Sequence, residues 1–128
     1  MFSTHGKFTI SIDGNIVIIE AEGPWNNEFF INMHRSLATQ VSKIDASNFA
    51  LLVILTGEGV ATFDSLKIHS KYVKAGSAKA IAINVGRCDT PFITKVIFEK
   101  VYKKNNLPHQ FFNDNADAKE WLLTFIDE

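Results

Sequence analysis

Cys88 stands between Arg87 and Asp89, two residues ahead of Thr90-Pro91, a pair that reads as the N-cap and first position of a helix. A helix start and a neighbouring cation both favour thiolate, Asp89 opposes it, and no histidine lies beside Cys88 in sequence. The residues therefore describe an inert thiol before they describe a nucleophile. Gly57-Glu58-Gly59 lacks the third glycine of a dinucleotide fingerprint and the Gly-Lys-Ser/Thr ending of a phosphate loop. Asp64, Asp89 and Asp114 stand near helix starts, where their carboxylates compete with a phosphate for the free amides. Neither nucleotide binding nor a cofactor is expected. His34 and His69 fall on the inner faces of two helices with no second ligand at metal spacing on either, so both are read as hydrogen-bonded core residues and no metal is expected.

The elements that must position these residues are marked by apolar periodicity. Phe8, Ile10 and Ile12 alternate with polar residues, Asp13-Gly14-Asn15 tolerates positive φ, and Ile16 to Ile19 resumes the apolar run, which predicts a β-hairpin. Gly23-Pro24 closes it. Asn26 caps a helix that carries Phe30, Met33, Leu37, Val41 and Ile44 at three- and four-residue spacing and reaches about Lys43. Phe49 to Leu55 is apolar at every position, as a strand covered on both faces requires. A second helix starts near Thr62 or Asp64 and ends at Gly76, expected in the left-handed conformation. Ala80 to Val85 is another buried strand, followed by the helix that Pro91 opens and Pro108 bars from continuing. His109 to Asn113 forms a short strand, and Asp114 with Asp117 opens a last helix with an Ala118, Trp121, Leu122, Phe125 stripe. The order β-β-α-β-α-β-α-β-α predicts an α/β fold: a mixed, mostly parallel sheet with an N-terminal β-hairpin.

In such a sheet, ligands collect beyond the carboxyl ends of the strands where crossovers diverge. The loops holding Trp25 and Asn26, then Gly57, Glu58 and Gly59, then Arg87, Cys88 and Asp89 are therefore candidates for a ligand or partner site. The helix from Pro91 is apolar over a wide arc. With Ile93, Val96 and Ile97 on one side, Phe98 and Tyr102 project from the other, either under a neighbouring helix or as an exposed aromatic pair suited to an interface or a homodimer.

The chain has 128 residues, 46% hydrophobic, which fits a single domain with a real core. Thirteen basic against fourteen acidic residues leave a formal charge of -1, without the footprint of nucleic-acid binding. That balance conceals an uneven distribution, because the basic residues crowd into positions 67–104. Lys67, Lys71 and Lys74 share one exposed helical face, which would suit an acidic protein surface or anionic headgroups. One cysteine excludes an internal disulfide framework. Neither a leader nor a span long enough to cross a membrane is signalled, and a cytoplasmic location is expected.

The hairpin, the Gly-Pro-Trp entry to the first helix, the AIAINV strand and the closing Phe112-x-Asp114-x-x-Asp117-Ala118-x-x-Trp121-Leu122 resemble the SpoIIAA-like family related to STAS domains. The resemblance spans nearly the whole chain. It implies a noncatalytic regulatory or protein-interaction module. In anti-sigma-factor antagonists of that kind, a serine at the start of the second helix is phosphorylated. The corresponding stretch here is Phe63-Asp64-Ser65-Leu66, with Asp64-Ser65 kept and Leu66-Lys67 where Ser-Gly would stand. The same element order is similar to lipid-binding Sec-fourteen-type domains, which implies an alternative: a carrier holding an apolar or amphipathic ligand between helices and sheet. A carrier would show a closed hydrophobic cavity of at least ~300 Å³.

Overall fold

The computed structural model describes residues 6–127. Two strands, β1 (Lys7–Asp13) and β2 (Ile16–Glu22), form the hairpin, and Gly14 at its tip has φ +60°. They are followed by α1 (Asn27–Val41), β3 (Ala50–Gly57), α2 (Phe63–Ala75), β4 (Ile81–Cys88), α3 (Pro91–Lys104), β5 (His109–Phe112) and α4 (Asn115–Leu122). The sheet order is β1-β2-β3-β4-β5, antiparallel at the hairpin and parallel from β2 onward. The predicted element order and mixed sheet are both present.

Strand periodicity divides the core in two. Val17, Ile19 and Ala21 of β2, Leu51 and Leu55 of β3, and Ile81, Ile83 and Val85 of β4 point toward α1, α2 and α3. Their neighbours Ile16, Ala50, Leu52, Ile54 and Ala82 point the other way, toward Ala118, Leu122 and Ile126 in and beyond α4. Ala50, Ala80 and Ala82 add little volume, which lets the short α4 approach β3 and β4 closely. Both faces of β3 and β4 are thus covered, the condition that an all-apolar strand sequence predicts.

The helix ends follow side-chain chemistry. Asn26 accepts from the Phe29 N–H at 3.0 Å, Thr62 from the Ser65 N–H at 3.2 Å and Asp114 from the Asp117 N–H at 2.8 Å. Of the three aspartates expected at helix starts, Asp114 alone is an N-cap; Thr62 and Thr90 hold that position on α2 and α3. Thr90 makes no side-chain cap bond, because its hydroxyl accepts from the Gly59 N–H instead. Gly76 ends α2, but with φ -79° and ψ 169° rather than in the expected left-handed conformation. The chain leaves α2 extended, and the next residue, Ser77, donates to the Ala46 carbonyl beyond α1.

The orientation of α3 differs from the aromatic-interface expectation. Phe98 and Tyr102 are 4% and 3% exposed and lie in the core, whereas Phe92 at 80% exposure, Ile93 and Val96 face outward. Thr94 decides this rotation. Its buried hydroxyl lies 2.8 Å from Gly59 O and 2.7 Å from Thr90 O, which share its one proton, anchoring the Thr94, Phe98, Val101, Tyr102 stripe inward. Phe98 and Tyr102 therefore offer no surface to a partner or a second copy.

Candidate functional site

The three candidate loops do converge. Gly23 N–H donates to Thr56 O, Trp25 N–H to Val60 O and Asp89 N–H to Gly57 O. They converge onto one another rather than around a cleft. A Cβ on Gly23 would lie 1.9 Å from the Glu58 carbonyl oxygen, and one on Gly59 would lie 2.3 Å from the Thr94 hydroxyl. Two features of the fold explain the closure. Strand order runs steadily from β1 to β5, and α1, α2 and α3 all lie on one face, so no crossovers diverge to open a crevice.

Individual members of that rim are accordingly structural in their contacts. Arg87 and Cys88 belong to β4 and pair with Thr56 and Gly57 of β3, so Cys88 is tied into the sheet instead of lying in a loop. Its thiol lies 3.3 Å from the Thr94 hydroxyl and 3.6 Å from Gly57 O. Glu58 and Asp89 are exposed, and neither faces a cation within ion-pair reach among the described residues. Trp25 is buried among Phe29, Phe30 and Phe98, with ring centroids 5.8, 6.4 and 5.7 Å away. Its indole edge packs against Gly6 and Gly23, where any Cβ would collide, and its Nε1–H finds no acceptor among the described residues.

Ser65, the phosphoacceptor-like residue, is 1% exposed. Its hydroxyl donates to Asn27 Oδ1 in the first turn of α1 and accepts from Thr62 Oγ1 at 3.0 Å. This corrects the phosphoacceptor expectation: a kinase cannot reach the oxygen while α2 is docked, and a dianion there would sit buried beside Asp64. Lys67, Lys71 and Lys74 are exposed as expected, with Lys67 Nζ 4.6 Å from the centroid of the outward-facing Phe63 ring.

An apolar hollow lies elsewhere, between the sheet and the three-helix layer. A cavity of about 230 Å³ is walled by Ile19, Leu51, Leu55 and Ile81 of the sheet and by Phe29, Phe30, Met33 and Phe98 of the helices. Its mouth is marked by the exposed residues Lys74, Gly76, Ser77, Asn106 and Pro108, beyond the amino ends of β4 and β5. The site is therefore at the opposite end of the parallel strands from the expected rim. It is also smaller than the expected carrier cavity and open at one end.

The wall holds one polar chain. His34 Nε2 and His69 Nδ1 are 2.8 Å apart, and His69 Nε2 is 3.2 Å from Tyr102 Oη, so α1, α2 and α3 are joined through a single hydrogen-bonded series. His34 stacks on Tyr72 with centroids 4.4 Å apart, and His69 on Phe30 at 4.9 Å. Burial lowers the His34 pKa to about 4, and pushes His69 well below its ordinary value, with the His34 charge adding to the effect. Burial also raises the Tyr102 phenol well above its ordinary range. At neutral pH all three are uncharged, and a hydrogen bond between two imidazoles uses one N–H and one lone pair.

These bonds matter because α2 lies against α1 and α3, and its fully buried residues are the polar Ser65 and His69, flanked by the partly buried Leu66, Ile68 and Val73. Together with Asn105 Nδ2 donating to Ser70 Oγ at 2.9 Å, they hold α2 over the cavity as a roof. Helical periodicity had placed both histidines inward; their pairing across 35 residues of chain had no local signal. No catalytic set forms around them. Among the described residues no group of three or more His, Cys, Asp or Glu side chains is arranged to hold a metal ion, and no helix is long and apolar enough to cross a membrane.

No family model matches the chain, and no curated protein does. Among solved structures, it is similar to an uncharacterized protein of the DUF3478 family with a SpoIIAA-like fold from Shewanella loihica PV-4. The match has a TM-score of 0.65 and 16% sequence identity, and covers 95% of this chain and 97% of that one. The chain has a SpoIIAA-like fold.

Proposed function

We propose that the chain is a one-domain, noncatalytic binding module that carries a small apolar or amphipathic molecule in the cavity beneath α2. The observation that carries this reading is the cavity: an apolar chamber with an opening, roofed by a helix whose fully buried residues are the polar Ser65 and His69. Its volume lies below the range of drug-sized ligands, so the cargo is small. The satisfied His34–His69–Tyr102 chain supports binding over catalysis, since none of its members approaches a nucleophile or a set of oxyanion donors. The single unpaired Cys88 is consistent with action in the cytoplasm.

Titration with the neutral fluorophore N-phenyl-1-naphthylamine tests this reading. Saturable binding that is lost when Val53→Phe fills the cavity is the expected result, with circular dichroism reporting an intact fold. Absence of binding, or binding unaffected by Val53→Phe, would overturn it.

A second reading, a regulatory module engaging an acidic partner protein, is supported by the α2 surface, where the exposed Phe63 lies beside Lys67 and the Lys71 and Lys74 ammonium groups follow. Native mass spectrometry of protein from its own host separates the two: a small retained mass favours the carrier, a co-purifying acidic chain the module.

A further inference from the structure

The cavity has a chemical polarity from floor to mouth. Its inner walls are aliphatic and aromatic; the His34, His69 and Tyr102 polar groups are paired with one another, and the indole edge of Trp25, whose Nε1–H has no acceptor among the described residues, packs against Gly6 and Gly23. Charge enters at the mouth alone, where Lys74 is the charged residue of the lining and no aspartate or glutamate contributes. Lys103 and Lys104 stand exposed in the last turn of α3, immediately before Asn105 and Asn106, which also line the cavity. None of these three lysines forms an ion pair among the described residues.

Two helix C-termini end at this mouth, and their partial negative charge would oppose an anion. Five of the carbonyls that carry it already accept hydrogen bonds. Gly76 N–H donates to Tyr72 O and Val73 O, Asn105 N–H and Nδ2 both donate to Val101 O, Asn106 N–H to Lys103 O and Leu107 N–H to Tyr102 O. Of the acidic side chains nearest this end of the molecule, Asp45 accepts from the Ser47 hydroxyl and backbone N–H and is faced by Lys79, and Glu99, one helical turn before Lys103, forms no ion pair with it. Lys74 in particular has no carboxylate at ion-pair distance among the described residues.

We infer that the cavity's cargo is a short anionic amphiphile, with its hydrocarbon tail in the aromatic chamber and its acid group at Lys74 in the mouth. The inference rests on the carrier reading above and adds the head group. A cationic head would meet like charge there, and a neutral head would leave Lys74 unused.

Octanoate, octanol and octylamine share one tail and differ in head group, so competition of each against the neutral fluorophore isolates the charge. Octanoate should bind about tenfold more tightly than octylamine at low salt, and that margin should shrink as ionic strength rises. Lys74→Glu should weaken octanoate by a comparable factor and leave octanol unchanged; Lys71→Glu, on the same helix but outside the lining, should change neither. Equal affinities for the three ligands, or a Lys74→Glu variant that binds octanoate as before, would overturn the head-group assignment while the carrier reading stands. If none of the three displaces the fluorophore and the fluorophore itself does not bind, the carrier reading fails and this inference with it.

Discussion

His34 Nε2 and His69 Nδ1 face each other at 2.8 Å, one on α1 and the other on α2, and the bond exists only while at least one of the two nitrogens has a free lone pair. The rings packed around them are Phe30, Tyr72, Phe98 and Tyr102, and among the described residues no carboxylate pairs with either imidazole.

Stability should therefore fall in mild acid. Both folded-state pKa values lie below the unfolded 6.5, so the unfolded chain takes up protons first as pH drops. The loss begins near pH 6.5 and, for His34, is complete near pH 4, at a cost of roughly 3 kcal/mol. Urea midpoints measured between pH 7.5 and pH 4 would show it, and a His34→Gln variant should have a visibly flatter profile. Parallel profiles for the two proteins would refute the assignment.

Ser65→Ala should cost about 1 kcal/mol, the net value of the hydroxyl's bonds to Asn27 and Thr62. Ser65→Asp should cost about 3 kcal/mol or more, because it buries a carboxylate beside Asp64. Thermal melts of the two variants would establish the order. An aspartate variant as stable as the parent would show that the position accepts a charge and would remove the burial argument against phosphorylation there.

Phe98→Ala should cost about 3 to 5 kcal/mol, the usual penalty for emptying a buried aromatic site, while Phe92→Ala should lie within about 0.5 kcal/mol of the parent. Chemical denaturation distinguishes these outcomes directly. If the reverse were found, α3 would have to be rotated from the orientation that Thr94 sets.

Gly23→Ala and Gly59→Ala should each destabilise by about 2 kcal/mol or more, because the new methyl group would overlap the Glu58 carbonyl or the Thr94 hydroxyl. Gly14→Ala meets no atom within 4 Å, so its penalty is confined to the left-handed backbone, about 1 kcal/mol. Equal costs at the three positions would mean that the rim loops are not in contact.

Most of the fold was legible because strand and helix periods are explicit in the chain. Phe49 to Leu55 and Ala80 to Val85 are apolar at both parities, and both lie between helical layers. The rotation of α3 was not legible, since Ile93, Val96 and Ile97 are as apolar as Phe98, Val101 and Tyr102. A threonine hydroxyl made the choice, and hydropathy gives it no weight. Strand order was the missing fact for the site. The expected rim requires a reversal of direction in the sheet, and the chain instead adds each strand on the same side of the last. Lys74 was visible as part of a basic face, but its place at a cavity mouth depends on Gly76 leaving α2 extended and on where the end of α3 lies. Both are tertiary facts.

The alanines beneath α4 have one further effect. They seat that helix directly on the strands, whereas the layer across the sheet retains a hollow bridged by imidazole and phenol. The apolar chamber with its hydrogen-bonded imidazole and phenol wall thus belongs to the three-helix side of the sheet. A guest entering the hollow would be registered as movement among α1, α2 and α3, with the strands acting as a fixed floor and α4 left undisturbed behind them.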